Sequence, residues 1–182
     1  LITRLEFNDK QIEIGRDDYV ISALPVTAFG KIFNKVDVPN EFNTILNIHY
    51  KISDKIKKLF TSDIIGMISS HSQWIFVKNN YLSVTVSDAN NFNNESQETL
   101  STKVWEEICL LIGKNIKIPN CQIIKEKKAT FVQSPNNFEL IKKIKNLPRN
   151  LSICGDWTQS DLPCTIEGSI MSGKKSIEFF GV

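Results

Sequence analysis

"NLSICGDWTQSDLPCTIEGSIMSGKKS", residues 150–176, decides how this chain is read. Elsewhere Lys, Asn and Ile crowd the sequence, but here Gly, Ser, Thr and Cys gather around one Gly-Asp pair. Leu151 to Cys154 form a short apolar run of strand character. Gly155 follows, and its missing Cβ lets the backbone approach a neighbour closely. Asp156 falls just past the carboxyl end of that strand, the edge at which open α/β sheets bind ligands. Its carboxylate can accept hydrogen bonds from a ligand hydroxyl or from backbone amides. Pro163 suits the first turn of a helix running from about Pro163 to Phe180, where a missing N–H costs nothing. Thr165, Ser169, Ser172, Gly173 and Ser176 would line one side of that helix with small groups, and Ile166, Ile170 and Ile177 another. A small face can be approached closely by a flat ligand or another backbone, and the amides at the helix start favour negative charge. The same pattern also serves a plain β-turn-α unit whose small face is tight helix packing.

Working outward, residues 2–14 set Leu5, Phe7, Ile12 and Ile14 in alternating runs around an Asn-Asp-Lys turn, a hairpin signature. In "DDYVISALP", Tyr19, Val20 and Ile21 read as a strand covered on both faces, stopped by Pro25. From residue 44 the pattern is antiparallel: Leu46, Ile48, Tyr50 and Ile52 share one face, with Asn47, His49 and Lys51 on the other. "DIIGMIS", "QWIFVK" and "YLSVTVS" supply further strands, the last two joined by a "KNN" turn. Leu100, Val104, Ile108 and Leu111 then recur at helical spacing, with Asn94 and Gln97 as a capping box and Gly113 as the stop. A strand around "KIPNCQIIKEKKATF" and a short helix over 138–146 lead back to the opening stretch. The expected fold class is therefore α/β plus α+β. Residues 1–30 and 130–182 make a discontinuous α/β layer, and residues 31–129 an inserted antiparallel-sheet domain with helices.

The 182 residues and 41% hydrophobic content are enough for a real core. The 22 basic and 20 acidic residues are interspersed, so the net charge of +2 gives no electrostatic footprint for nucleic acid. Cys109, Cys121, Cys154 and Cys164 show no C-x-x-C spacing and lie far from His49 and His71, which argues against a zinc site. The low cysteine density fits a reducing, cytoplasmic compartment, and no apolar run reaches the roughly 20 residues of a membrane span. The chain opens at Leu1 directly in strand-like sequence, so an absent N-terminal portion is expected.

The run "GDWTQSDLPCTIEGSIMSG" resembles the C-terminal FAD-binding motif of the flavin-containing amine oxidase and phytoene desaturase superfamily. Its "GDWT", "LP", "TIEG" and "SG" are most similar to the squalene-associated desaturases of that superfamily. "DDYVISALP" resembles the D-x-V-x-A-x-P strand, "QWIFVK" the substrate-domain Q-W strand, and "KATFVQSP" the A-T-F-x-x-x-P segment. The resemblance implies the C-terminal part of a Rossmann-like FAD-binding domain carrying an inserted substrate-binding domain. It further implies that Gly155 and Asp156 contact the pyrophosphate and ribityl region of FAD. Thr165, Ile166 and Glu167 would lie by the isoalloxazine ring, Glu167 mainly through its backbone, with Gly168 permitting close approach. The strand, G-x-G-x-x-G turn and helix that hold the FAD diphosphate in the superfamily are absent from this sequence. A dinucleotide-binding segment N-terminal to these residues is thus expected as a partner, with little or no FAD binding by the fragment alone.

The activity implied is hydride transfer at flavin N5 on an apolar isoprenoid: reduced flavin gives hydride to an allylic cation as hydroxyl leaves, and a desaturase runs the other way. A phytoene desaturase or amine oxidase relative is the alternative enzyme, and a non-catalytic remnant or binding module the alternative outside enzymes. No carboxylate pair or His-centred constellation has a distinctive spacing, so no catalytic acid or base is assigned. His49 and His71, on strand or strand-end positions without a nearby acid, read as surface or satisfied structural histidines. Trp74, Phe76 and Trp105 could line an apolar tunnel but read first as core. "FELIKKIKNLPR" sets Phe138, Ile141 and Ile144 against Lys142, Lys143, Lys145 and Arg149. It could lie on an anionic membrane, although packing on its own domain is commoner.

Overall fold

Alternation dominates the central sequence, and the strand it builds buries one of its two faces. In β4 (Phe42–Lys51), Leu46, Ile48 and Tyr50 are fully buried while the residues between them are only half-buried. The computed structural model describes residues 1–158 and 161–181. It divides into two compact units, Phe42–Ala129 and Leu1–Glu41 with Thr130–Val182.

Within Phe42–Ala129, β4 sits in a five-stranded sheet of order β5-β6-β7-β4-β8. The other strands are β5 (Ile64–Gly66), β6 (Trp74–Val77), β7 (Tyr81–Val86) and β8 (Cys121–Phe131). Their pairings across β4, β5, β6 and β7 are antiparallel, with Leu46 opposite Val86, Ile48 opposite Val84 and Ile75 opposite Val84. A four-residue α2 (Asp54–Lys57) links β4 to β5. One face of the sheet is covered by α3 (Gln97–Ile112), whose Leu100, Val104, Trp105 and Ile108 join the buried strand residues in one core. Each fully buried aliphatic side chain there contributes about 1.5–3 kcal/mol. Two polar groups in this layer are satisfied inside it: Tyr50 OH donates to Ser101 O at 2.7 Å and Trp105 Nε1 to Ile116 O at 2.7 Å. The start of α3 differs from the Asn94–Gln97 expectation. Ser96 is the N-cap and accepts from Thr99 N at 3.1 Å, because its short hydroxyl reaches the third amide of the first turn. Gly113 ends the helix as expected, in the left-handed conformation at φ 65°.

In the other unit, β1 (Arg4–Phe7) and β2 (Lys10–Glu13) form the expected hairpin. β3 (Val20–Ser22) pairs in parallel with β9 (Leu151–Ile153), Val20 opposite Leu151 and Ser22 opposite Ile153. Residues more than a hundred positions apart thus close one α/β layer, flanked in sequence by α1 (Val26–Ile32), α4 (Pro135–Lys142) and α5 (Ile166–Glu178). The mixed α/β character with an antiparallel sheet agrees with expectation. The described residues supply only two parallel strands of any Rossmann-like sheet. That narrow pair explains a correction: Tyr19 and Ile21 are exposed rather than covered on both faces. The short helix begins earlier than expected because Ser134 caps it, accepting from Asn137 N at 3.3 Å, with Pro135 following at the first helical position. Its Phe138 packs edge-on against Phe131, turning the apolar side inward. Among the described residues no helix is long and apolar enough to cross a membrane.

Candidate functional site

The Gly155 turn is fixed from several directions. Gly155 has φ 143°, a conformation that L side chains rarely adopt, and a Cβ there would stand 3.0 Å from the Trp157 indole. Its N–H donates to Ser172 Oγ of α5 at 2.7 Å, and its carbonyl accepts from Thr158 Oγ1 at 2.9 Å. Trp157 is buried, donates from Nε1 to Leu24 O at 3.0 Å, and packs on Phe29 of α1. Asp156 opens the 3-10 turn Asp156–Thr158 and is half-buried. No group among the described residues pairs with its carboxylate. The half-buried Cys164 thiol lies within reach of that charge: burial first, then Asp156, raises its pKa to about 11, so it stays protonated.

The start of α5 is built by Thr165, which caps the helix by accepting from Gly168 N at 3.2 Å. Pro163 therefore lies two residues before the cap rather than in the first turn, because the Thr165 hydroxyl provides the cap that a proline cannot. A Cβ on Gly168 would meet the Pro163 carbonyl oxygen at 2.9 Å, so this glycine lets the preceding loop close over the first turn. Thr165, Ile166 and Glu167 are exposed and Gly168 is buried. Gly155 and Asp156 are tied to the same helix through Ser172, so all six residues singled out in the sequence lie on two joined elements of one unit.

The small side of α5 is used differently from the expectation of an open face. Gly168, Ser172 and Ser176 are buried, whereas Ile166, Ile170 and Ile177 are 82%, 51% and 48% exposed. Ser172 must come close to β9 to satisfy the Gly155 amide, and only small neighbours allow that approach.

Two further arrangements lie in the Phe42–Ala129 unit. His71 does have an acid. Its Nδ1 stands 2.7 Å from Glu107 Oε1, and the same carboxylate accepts from Ser70 Oγ and Ser72 Oγ at 2.6 Å and from the amides of His71 and Ser72. Burial would raise the Glu107 pKa, but these donors outweigh it and hold the carboxyl at about 2. The pair is 36 positions apart, so only folding reveals it. His49 is also not satisfied as expected: its Nδ1 is buried without a partner among the described residues. Trp105 is core as read, but Trp74 is 47% exposed and Phe76 only half-buried, because both alternate onto the sheet face away from α3. Among the described residues no group of three or more His, Cys, Asp or Glu is arranged to hold a metal ion, and all four cysteines are free.

The fold is one shared with solved oxidases. A candidate protoporphyrinogen oxidase from Exiguobacterium superposes on 96% of this chain and 44% of its own, with TM-score 0.56 and 11% identity. A cofactor-binding redesign of putrescine oxidase covers 99% of this chain and 46% of its own, with TM-score 0.63 and 12% identity. Sequence narrows the likeness, and the resemblance to the squalene-associated members stands: the chain is similar along nearly its whole length to hydroxysqualene dehydroxylases. That of Sinorhizobium fredii is 31% identical over 178 residues, 98% of this chain and 42% of the relative. That of Rhodopseudomonas palustris is 31% identical over 175 residues, and that of Zymomonas mobilis 28% over 177. The chain thus spans about two-fifths of the length of these relatives. No protein-family model matches it.

Proposed function

We propose that this chain supplies one wall of the site of an FAD-dependent oxidoreductase that acts on a squalene-type isoprenoid, in the manner of hydroxysqualene dehydroxylase. The observation that carries the reading is Asp156: a carboxylate without a partner among the described residues, just beyond the carboxyl end of β9, beside a glycine whose φ is 143°. The residues suit a flavin. Asp156 would accept from its ribityl hydroxyls, on a turn that Gly155 allows and that Ser172, Thr158 and Trp157 hold in place. The first-turn amides of Ile166 and Glu167, beyond the Thr165 cap, would favour negative charge on the ring. When bound, the flavin supplies hydride chemistry at N5.

The chain's own part is to orient the cofactor and exclude water, and the diphosphate-binding G-x-G-x-x-G would come from a dinucleotide-binding segment outside these residues. The parallel β3–β9 pair and the exposed isoleucines of α5 are surfaces such a segment would cover. The exposed Lys142, Lys143, Lys145 and Arg149 would face an anionic membrane from which an isoprenoid is drawn. The protein expressed from its complete coding sequence should purify yellow and convert hydroxysqualene in preference to phytoene or simple amines. Asp156→Ala should lower its FAD content several-fold. A colourless protein, or unchanged flavin content in the variant, would count against the reading; turnover of phytoene or amines instead would reassign the substrate.

A further inference from the structure

Three ammonium groups converge on one small cavity in the unit that carries β3 and β9. The cavity holds about 160 Å³ and is lined by Lys35, Lys143 and Lys145, together with Asp37, Leu140 and Ile144. Lys35 follows α1 and the other two follow α4, so segments far apart in sequence bring like charges together. Helix ends do not account for the cluster. Lys143 caps α4, where a cation suits the helix dipole, but Lys35 and Lys145 lie beyond the last turns. Lys142 is paired with Glu139 at 3.2 Å, whereas among the described residues no ion pair ties Lys35, Lys143 or Lys145 to an acid. Like charges gathered in this way favour an anion between them. Ile144 and Lys145 also line a neighbouring groove of about 660 Å³. Its wall is apolar: Tyr19, Leu147, Ile153, Phe179 and Phe180, with Tyr19 stacked on Phe180 at 4.3 Å between centroids. The exposed Arg149 adds a fourth cation to this groove, and Asn146, at φ 61°, turns the chain between Lys145 and Arg149.

We propose that cavity and groove together bind an anionic phospholipid of a membrane, its phosphate among Lys35, Lys143, Lys145 and Arg149 and its acyl chain along the groove. The sizes agree. A cavity of about 160 Å³ is several times a water's share of liquid volume, about 30 Å³, and admits a phosphate group. The groove falls within the range of small-molecule sites, about 300–1,000 Å³. Charge decides between occupants. A permanent protein cover is disfavoured, because lysine is depleted from the cores of protein interfaces and an unpaired ammonium is costly to desolvate. A second copy of this surface would bring the same positive charge against it. A polyanion such as nucleic acid would meet the lysines but leave the aromatic wall of the groove in water. A phospholipid carries the anion and the hydrocarbon in one molecule. The site is built from residues that precede β9, whereas Asp156 lies past the carboxyl end of that strand, so the two are separate. Its use rests on the functional reading above, since it would hold an isoprenoid enzyme at the bilayer that dissolves its substrate; the lipid contact itself does not depend on flavin.

Vesicle flotation of the protein from the complete coding sequence tests the site. Mixed phosphatidylcholine and phosphatidylglycerol vesicles should carry the protein, and phosphatidylcholine alone should hold it at least about tenfold more weakly. Lys143→Gln together with Lys145→Gln should weaken binding to the mixed vesicles roughly tenfold to thirtyfold, and the matching pair of Arg substitutions should retain it. Lys114→Gln together with Lys117→Gln removes the same charge from exposed lysines of the other unit and should change binding less than about threefold. Phe179→Ser should weaken it several-fold through the groove alone. Glycerol phosphate, the head without the chains, should not compete. Equal losses from the two Gln pairs would reduce the contact to net charge and overturn the site. Undiminished binding by Phe179→Ser, or competition by glycerol phosphate, would overturn the lipid assignment in favour of a free phosphate. A complete protein that ignores anionic vesicles would show the groove covered by something else and overturn the proposal outright. Flavin content separates this from the functional reading: a colourless protein that floats sinks the flavoenzyme and keeps the lipid site, and a yellow one that does not float does the reverse.

Discussion

At the scale of single residues, Glu107 shows how much one carboxylate can organise. Its side chain is 19% exposed and gathers the Ser70 and Ser72 hydroxyls, two amides and the His71 ring, fixing the segment that leads into β6. Its folded pKa of about 2 lies below the ordinary carboxylate value, so it stabilises the fold above the unfolded pKa and loses that contribution as pH falls toward 2. After allowance for solvent, this is worth about 2 kcal/mol. Urea denaturation of the chain between pH 7 and pH 2 should show this loss below about pH 4.5. Glu107→Gln should be less stable at pH 7 and lack that part of the acid-dependent slope; an unchanged slope would remove Glu107 from the account. Asp156 is the opposite kind of carboxylate, without a partner among the described residues.

At the scale of elements, α5 carries the clearest contrast between what sequence can and cannot show. The β-turn-α unit at the Gly-Asp pair was legible because an apolar run, a glycine and an N-cap threonine are local signals. The face of α5 that packs was not, since small residues and isoleucines at helical spacing look alike until Ser172 is seen holding the Gly155 amide. The same limit hid the Glu107–His71 pair and the outward turn of Trp74, which depend on strand pairing across long separations. Two glycines of α5 test this reading of the helix. Gly173 has nothing within 4 Å of a Cβ, so Gly173→Ala should stabilise the chain by up to about 1 kcal/mol through helix propensity. Gly168→Ala would push against the Pro163 carbonyl at 2.9 Å and should destabilise it by about 1–3 kcal/mol. Urea midpoints that shift in the same direction for both variants would show that the first turn does not close on the loop as described.

At the scale of the whole molecule, the two units differ in how complete they are. The Phe42–Ala129 unit has a continuous core between sheet and α3, which accounts for the ease with which its alternation was read. The other unit leaves apolar surface open: Phe7 and Ile12 on the hairpin, Ile21 on the parallel pair, and Ile166, Ile170 and Ile177 on α5. Ile166, Ile170, Gly173 and Ile177 follow one another at intervals of four, three and four, the spacing of a continuous helix stripe. Exposed apolar stripes of this length bind dyes and other proteins unless something covers them. The 182 residues expressed by themselves should therefore bind 1-anilinonaphthalene-8-sulfonate in the native state and self-associate with rising concentration. Replacing Ile166 and Ile170 together by Ser should cut the dye signal at least about twofold while leaving urea stability within about 0.5 kcal/mol, because neither side chain is buried. In the protein from the complete coding sequence, the same double substitution should leave dye binding low but reduce stability or flavin content if a further segment lies on the stripe. A native chain that binds no dye, or a complete protein indifferent to the substitutions, would mean that this face is simply solvated.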